Sequence, residues 1–191
     1  MAGKVLGEKF FERSTLLVAR ELLGKYLVRR RGGKMRAFLI TEVEAYTGRG
    51  DMSSHAANGM TKRNRAMFGR PGHWYVYLIY GMYHCLNIVT ESHGTPAAVL
   101  IRGVQRISGP GKVCRELGIT AALYGKPAAR SSGLWIEDRK SGNRNQELTI
   151  KRTARINAGG DEKAKKRLWR FVLAPKLAEN QLRKLPHYHT S

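Results

Sequence analysis

The stretch from Trp74 to Glu91 constrains this chain more than any other. Trp74-Tyr75-Val76-Tyr77-Leu78-Ile79 is aromatic and β-branched, Tyr80-Gly81-Met82 interrupts it, and Tyr83 to Glu91 resumes it. Such a pair of runs around a glycine reads as two antiparallel strands and a tip. Five aromatic residues fall within ten positions of a chain that is 8% aromatic, so these rings are concentrated rather than scattered. Strand alternation sets Tyr75 and Tyr77 on the face opposite Trp74 and Val76, so only some of them belong to a core and the rest are free to meet a ligand. Tyr80 sits beside Gly81 at the tip, where its own domain can hardly cover it. An exposed ring on a stiff ribbon suits insertion between stacked bases, the alternative being an ordinary turn tyrosine.

The remaining segments fit around that ribbon. Ser14-Thr15 resembles a helix cap, Leu16, Leu17, Ala19, Leu22 and Leu23 follow at helical spacing, and Gly24 can end the helix. Lys25 to Arg31 and Met35 to Tyr46 read as strands joined by Arg31-Gly32-Gly33-Lys34. Thr47 to His73 is a long loop carrying one or two helical turns. Further strands are expected at Ala97 to Arg106, Leu134 to Asp138, Thr149 to Ile156 and Leu168 to Ala174, with a helix over Lys112 to Leu117. Arg139 to Gly160 is basic and weakly patterned, and the tail after Pro175 is expected to be loosely ordered. The class is α+β with antiparallel strands dominant, and 191 residues without a linker or repeat suggest one domain spanning 1–191.

Charge narrows the partner. Lys and Arg number 35 against 14 Asp and Glu, a formal net charge of +21, which favours a polyanion: nucleic acid first, an anionic membrane surface second. No bilayer-spanning run or secretory leader is apparent, so a soluble, unsecreted protein is expected. Cys85 and Cys114 lack zinc-site or disulfide spacing and are expected to be reduced core residues.

Strict alternation along Phe38-Leu39-Ile40-Thr41-Glu42-Val43-Glu44-Ala45-Tyr46 would put Glu42 and Glu44 on one face with Phe38, Ile40 and Tyr46. A carboxylate among apolar groups is a better proton acceptor provided that water reaches it, so either acid could act as a general base. An edge strand with both acids in solvent is an equally good reading of the pattern alone. Asn87, within Cys85-Leu86-Asn87-Ile88-Val89, and Arg102, after Ala98-Val99-Leu100-Ile101, are polar intrusions that each need a buried partner or a ligand. Glu44, Asp51 and His55 match no metal signature, and no metal or organic cofactor is expected. Gly109-Pro110-Gly111-Lys112 could offer backbone amides to a phosphate, without the full pattern of a nucleotide-binding loop.

Taken together, Glu42-Val43-Glu44-Ala45-Tyr46, His55, Thr61-Lys62-Arg63-Asn64-Arg65-Ala66-Met67-Phe68, Pro71-Gly72, Tyr75-Val76-Tyr77-Leu78-Ile79-Tyr80-Gly81-Met82, Asn87, Arg102 and Ser108-Gly109-Pro110-Gly111-Lys112 resemble the alkyladenine (3-methyladenine) DNA glycosylase family. The resemblance runs from about the first helix to the strand near Pro175. It implies one mixed domain around a curved antiparallel sheet, with a protruding hairpin and peripheral helices. It implies a monomer that acts on double-stranded DNA containing damaged purines, in the cytoplasm if bacterial and in the nucleus if eukaryotic. By the same resemblance Glu44 matches the general base and Arg102 a residue near the flipped nucleotide's phosphate and the catalytic water. Tyr46, His55 and Tyr77 match the base pocket, Asn87 the residue that disfavours guanine, and Tyr80 the ring that fills the gap in the helix. Arg63, Arg65, Gly111 and Lys112 are candidate contacts to the DNA backbone. The chain departs from the family pattern at Lys62, where proline is common, and at Thr47 and Arg49 in a variable loop. Two rival readings use the same residues: a noncatalytic nucleic-acid module stacking bases on the tyrosines, and a metal-dependent nuclease built on Glu42, Glu44, Asp51 and His55.

Overall fold

The computed structural model describes residues 3–48, 50–139 and 149–174. Expectations for the tail beyond 175, for Arg49 and for residues 140–148 of the basic segment lie outside the described residues.

In chain order the elements are strand β1 (Lys4–Val5), helices α1 (Glu8–Phe11) and α2 (Thr15–Leu22), strands β2 (Tyr26–Arg31), β3 (Lys34–Tyr46), β4 (Trp74–Ile79), β5 (Tyr83–Val89), β6 (Ala98–Val104) and β7 (Ile107–Ser108), helix α3 (Pro110–Leu117), strands β8 (Leu134–Asp138) and β9 (Ile150–Thr153), helix α4 (Glu162–Lys166) and strand β10 (Arg170–Leu173). The expected α+β class holds. The strands form one curled antiparallel sheet in the order β1-β8-β2-β3-β6-β5-β4, with β10 joining β3 to β9 and β7 pairing with β6.

β3 is the spine of this sheet. Its first half pairs with β2, while its second half has β6 on one side and β10 on the other. The solvent-edge reading of Glu42 and Glu44 is therefore wrong, because this part of β3 has a neighbour on both sides. The unbroken alternation from Phe38 to Tyr46 also fails. Register slips between Ile40 and Glu42, and again between Glu42 and Val43, so that Ile40, Val43 and Ala45 all enter the main core while Glu42 and Glu44 face arginines. Bulges of this kind re-aim side chains, which strict period-two reading cannot anticipate.

The turn between β2 and β3 is as expected: Gly32 and Gly33 have φ of 56° and 74°, the double positive φ that a two-residue hairpin demands. The cap of α2 differs from expectation. Ser14 occupies the N-cap position without a side-chain cap, and Glu91 instead accepts from Thr15 N (3.2 Å) and Thr15 Oγ1 (2.5 Å) across 76 residues. Gly24, at φ 82°, follows the end of that helix as expected. Cys85 and Cys114 are buried free thiols. Among the described residues no helix is long and apolar enough to cross a membrane.

Two apolar clusters lie on opposite faces of the sheet. The larger packs α2 and α3 against β-strand residues such as Leu86, Ile88, Val99 and Ile101. The smaller, Ala56, Met67, Tyr75, Val89 and Ala98 with Tyr77 alongside, fastens the 47–73 loop to the other face. The candidate site is on that second face.

Candidate active site

Sheet register assembles the site. Glu44 pairs with Leu100, Leu100 with Asn87, and Asn87 with Tyr75, so these four residues form one row across β3, β6, β5 and β4. Directly opposed residues share a face. With neighbouring strands about 4.8 Å apart, Glu44 stands roughly 10 Å from Asn87 and roughly 14 Å from Tyr75. Tyr46 lies two residues along β3 from Glu44, and Tyr77 two along β4 from Tyr75, which puts both rings beside the same row.

Glu44 is wholly buried and fixed at both oxygens: the Ile156 backbone N–H donates to Oε1 (2.7 Å) and the Tyr46 hydroxyl to Oε2 (2.8 Å). Burial, and next the charge of Glu44, raise the pKa of Tyr46 far above the ordinary phenol value, so Tyr46 keeps the proton that it donates. Arg102 bridges the two acids, with Nε 2.9 Å from Glu42 and Nη1 3.5 Å from Glu44. It reaches both because β6 slips register there, and Gly103 leaves room for Glu42: a Cβ at Gly103 would meet the Glu42 Cβ at 3.0 Å. Arg170 also pairs with Glu42, at 2.7 Å. Glu42 thus holds two arginines, whereas Glu44 is braced by a tyrosine and a backbone amide and touches Arg102 only at the limit of contact.

The rings cluster as the alternation implied, with one addition. His55 Nδ1 and the Tyr75 hydroxyl share a 2.8 Å hydrogen bond, and the His55 ring meets Tyr77 edge-on at 4.6 Å between centroids. Burial, with the charge of Arg63 second, pushes the His55 pKa below its ordinary value. Tyr75, not among the expected site residues, is thereby the partner that orients His55. Buried Asn64 holds the same loop, donating from Nδ2 to the carbonyls of His55 (2.7 Å) and Gly59 (2.9 Å). Asn87 is buried, and its side-chain amide donates to the Tyr75 carbonyl at 3.1 Å.

Sequence reasoning missed Arg155. It forms a two-pronged ion pair with Asp51 (2.7 Å at each prong), donates to the carbonyls of Ala45 and Ala164, and lies over the rings of Tyr46 and Trp169. Both side chains of this pair are fully buried. Arg155 therefore ties the 47–73 loop, the end of β3 and α4 together, and the next residue supplies the amide that holds Glu44. It sits in the stretch that looked basic and unpatterned. The only clue available was Asp51, a carboxylate in a Gly- and Ser-rich loop that had no stated partner. As a result the acids once grouped as a nuclease-like set are separated: Asp51 goes to Arg155, Glu42 to Arg102 and Arg170. Among the described residues no group of three His, Cys, Asp or Glu side chains is arranged to hold a metal ion.

The other expected residues are dispersed around this centre. Tyr80 is 82% exposed at the β4–β5 tip with φ 50°. Arg63 lies over the Tyr77 ring at 5.2 Å and donates to the Leu78 carbonyl, so part of its role is to back the pocket wall. Arg65 is exposed and begins a short 3-10 turn. Gly111 lets α3 approach β5, since a Cβ there would meet the Tyr83 Cβ at 3.1 Å, while Lys112 is exposed beside it.

Comparisons of sequence with known proteins point the same way. The sequence profile described as Methylpurine-DNA glycosylase (MPG) matches residues 9–109 and 105–176. A protein of Methanocella arvoryzae is 50% identical over 154 residues, covering 70% of this chain and 77% of its own. Proteins of Ehrlichia chaffeensis (41% identical, 91% of this chain and 95% of its own) and Rickettsia peacockii (44% identical, 88% and 89%) are similar over nearly full length. All three bear the provisional name 3-methyladenine DNA glycosylase.

Proposed function

Because this chain belongs to the methylpurine-DNA glycosylase family, and so is a DNA glycosylase of alkylation repair, we propose that it extrudes a damaged purine from duplex DNA and hydrolyses its glycosidic bond with a water activated by Glu44. The observation that carries this reading is the row Glu44–Leu100–Asn87–Tyr75, which sets a rigidly held carboxylate on the same face as the rings of Tyr46, Tyr75 and Tyr77.

The extruded base stacks among Tyr46, His55 and Tyr77. A purine alkylated at N3 or N7 is cationic, and electron-rich rings attract it. It is also a good leaving group, so the remaining work is to deliver a nucleophile and to stabilise an oxocarbenium-like sugar. Glu44 supports both tasks. Oε2 already accepts from the Tyr46 hydroxyl and, at 3.5 Å, from Arg102 Nη1, whereas among the described residues Oε1 accepts only from the Ile156 amide. Oε1 therefore keeps an acceptor site that can take a proton from a water, and the charge of the carboxylate opposes that of the sugar. Arg102 orients that water and the nearby phosphate. The Asn87 amide, whose N–H is committed to the Tyr75 carbonyl, opposes the 2-amino group of normal guanine. Tyr80 enters the gap left in the base stack, and unpairing costs least at lesions that stack or pair badly, which adds selectivity before the pocket is reached. Neutral deaminated or etheno-purines are within range if their leaving group is assisted.

The enzyme acts as a monomer of one domain and is monofunctional. Among the described residues the cations in contact with Glu42, Glu44, Tyr46 and Tyr77 are arginines, which stay protonated and do not form Schiff bases. Incubation with duplexes each carrying one defined lesion tests the proposal. The expected products are free base and an abasic site in an unbroken strand that alkali then cleaves. Tight binding without free base would instead support a nucleic-acid module, and direct strand scission would overturn the monofunctional reading.

A further inference from the structure

The end of the β2–β3 hairpin carries Arg30, Arg31, Lys34, Met35 and Arg36, all exposed. Arg29 faces Arg36 and Arg31 faces Lys34 across the ladder, two successive like-charge pairs on one side of the ribbon. Opposed like charges destabilise a hairpin, an effect that Arg36 offsets in part by lying over the Phe38 ring at 4.8 Å. Arg29 is absorbed by the carbonyls of Leu117, Gly118 and Gly133. Among the described residues Arg31, Lys34 and Arg36 have no carboxylate partner, although eleven ion pairs are formed elsewhere.

Their placement is informative. The C-terminal end of α3 abuts this cluster, since a Cβ at Gly118 would overlap the Arg31 guanidinium, and the N-terminal end abuts Tyr83, which pairs with Ile79 next to the Tyr80 tip. An eight-residue helix is about 12 Å long. Between its two ends α3 exposes Lys112 and Arg115; Arg115 pairs with Glu116 at 3.4 Å, so Lys112 is the cation of α3 that stands between the Tyr80 hairpin and the far end of β2–β3. Lys34 is ten residues from Glu44 along β3, at most about 33 Å, or about ten base pairs of duplex at 3.4 Å each.

Resting on the glycosylase reading, we infer that Arg31, Lys34 and Arg36 form a second phosphate contact, gripping the duplex up to about ten base pairs to one side of the extruded base. The charge complementarity, and the placement of Lys112 on the helix that joins the Tyr80 hairpin to this cluster, favour the flank of the same duplex over a separate segment or an anionic membrane.

The test is the triple variant Arg31→Gln, Lys34→Gln, Arg36→Gln, bound to three lesion duplexes: one with about 15 base pairs on each side, and two cut to about 5 on one side or the other. On the long duplex, and on one of the two short ones, the variant's log–log salt slope is expected to be shallower than wild type by about 2.7, roughly 0.9 per lost phosphate contact. On the duplex lacking the gripped flank, the two proteins bind alike. Single-turnover base release at saturating enzyme stays at the wild-type rate, and the thermal midpoint does not fall, because the like-charge pairs are relieved. An equal loss on all three duplexes, no loss on any, or loss only of binding to phosphatidylserine vesicles would overturn the inference. Failure of the wild type to release base would strike the glycosylase reading instead, and is read separately from the binding slopes.

Discussion

Arg155→Ala removes the guanidinium that ties three segments of the site together. Asp51, fully buried, would keep only Arg167 at 3.9 Å and the backbone N–H groups of Thr47 and Ser53, so the loss falls toward the lower end of the about 3–5 kcal/mol seen where such pairs have been broken. The carbonyls of Ala45 and Ala164 also lose a donor, at about 1–3 kcal/mol each if they stay dry. The truncated side chain leaves room for water, and among the described residues the Arg155 Nε is already a buried donor without a partner, so a total of about 4–6 kcal/mol is expected rather than the full sum. For a chain of this size that is a fall in thermal midpoint of roughly 8–24 °C, at about 2–4 °C per kcal/mol. Urea unfolding with a constant slope gives the free energy directly. Combining Arg155→Met with Asp51→Asn should recover about 2 kcal/mol relative to the sum of the single changes, because neither group is then stranded. A loss below about 1 kcal/mol for Arg155→Ala, or strict additivity in the cycle, would refute the claim that this pair fastens the site.

Other expectations follow from the same geometry. Tyr80→Asn should leave the thermal midpoint unchanged or slightly raised, since Tyr80 is exposed and asparagine accepts positive φ more readily, while capture of lesion duplex weakens; loss of the folding transition would show that Tyr80 is structural. His55 has a lowered pKa, so it is neutral at pH 7 and gains charge only below the ordinary histidine range. Protonation then repels a cationic base, and excision of 7-methylguanine should fall off at acid pH more than excision of neutral hypoxanthine, a difference that His55→Gln abolishes. The sign for stability is the same: the unfolded chain takes up the proton first, so the His55 contribution is complete above about pH 6.5 and declines as pH falls toward the folded pKa. A lesion-independent acid profile would contradict this assignment.

Much of the fold was legible because its signals are local. Strands Trp74–Ile79 and Leu134–Asp138 have the boundaries that their patterns imply, and Gly32-Gly33 specified a turn that only positive φ permits. What escaped depends on distant partners. The cap on α2 comes from Glu91, 76 residues away, and the clamp on Asp51 from Arg155, 104 residues away. The bulges in β3 and β6, set by the competing demands of neighbouring strands, decided which way Glu42 and Arg102 point. Period-two reading placed Glu42 and Glu44 alike, and only their partners distinguish them: two arginines for one, a tyrosine and a backbone amide for the other.

The proposed role of Glu44 is tested most directly by Glu44→Gln in a single-turnover assay with a 7-methylguanine duplex. Glutamine keeps the size of the side chain and can still accept from the Ile156 amide, and the Tyr46 oxygen can turn acceptor toward its new N–H. Lesion binding should therefore stay within a few-fold of wild type, while base release slows by about 10²–10⁴, the usual worth of a positioned general base. Release at the wild-type rate by a folded, DNA-binding Glu44→Gln protein would contradict the mechanism.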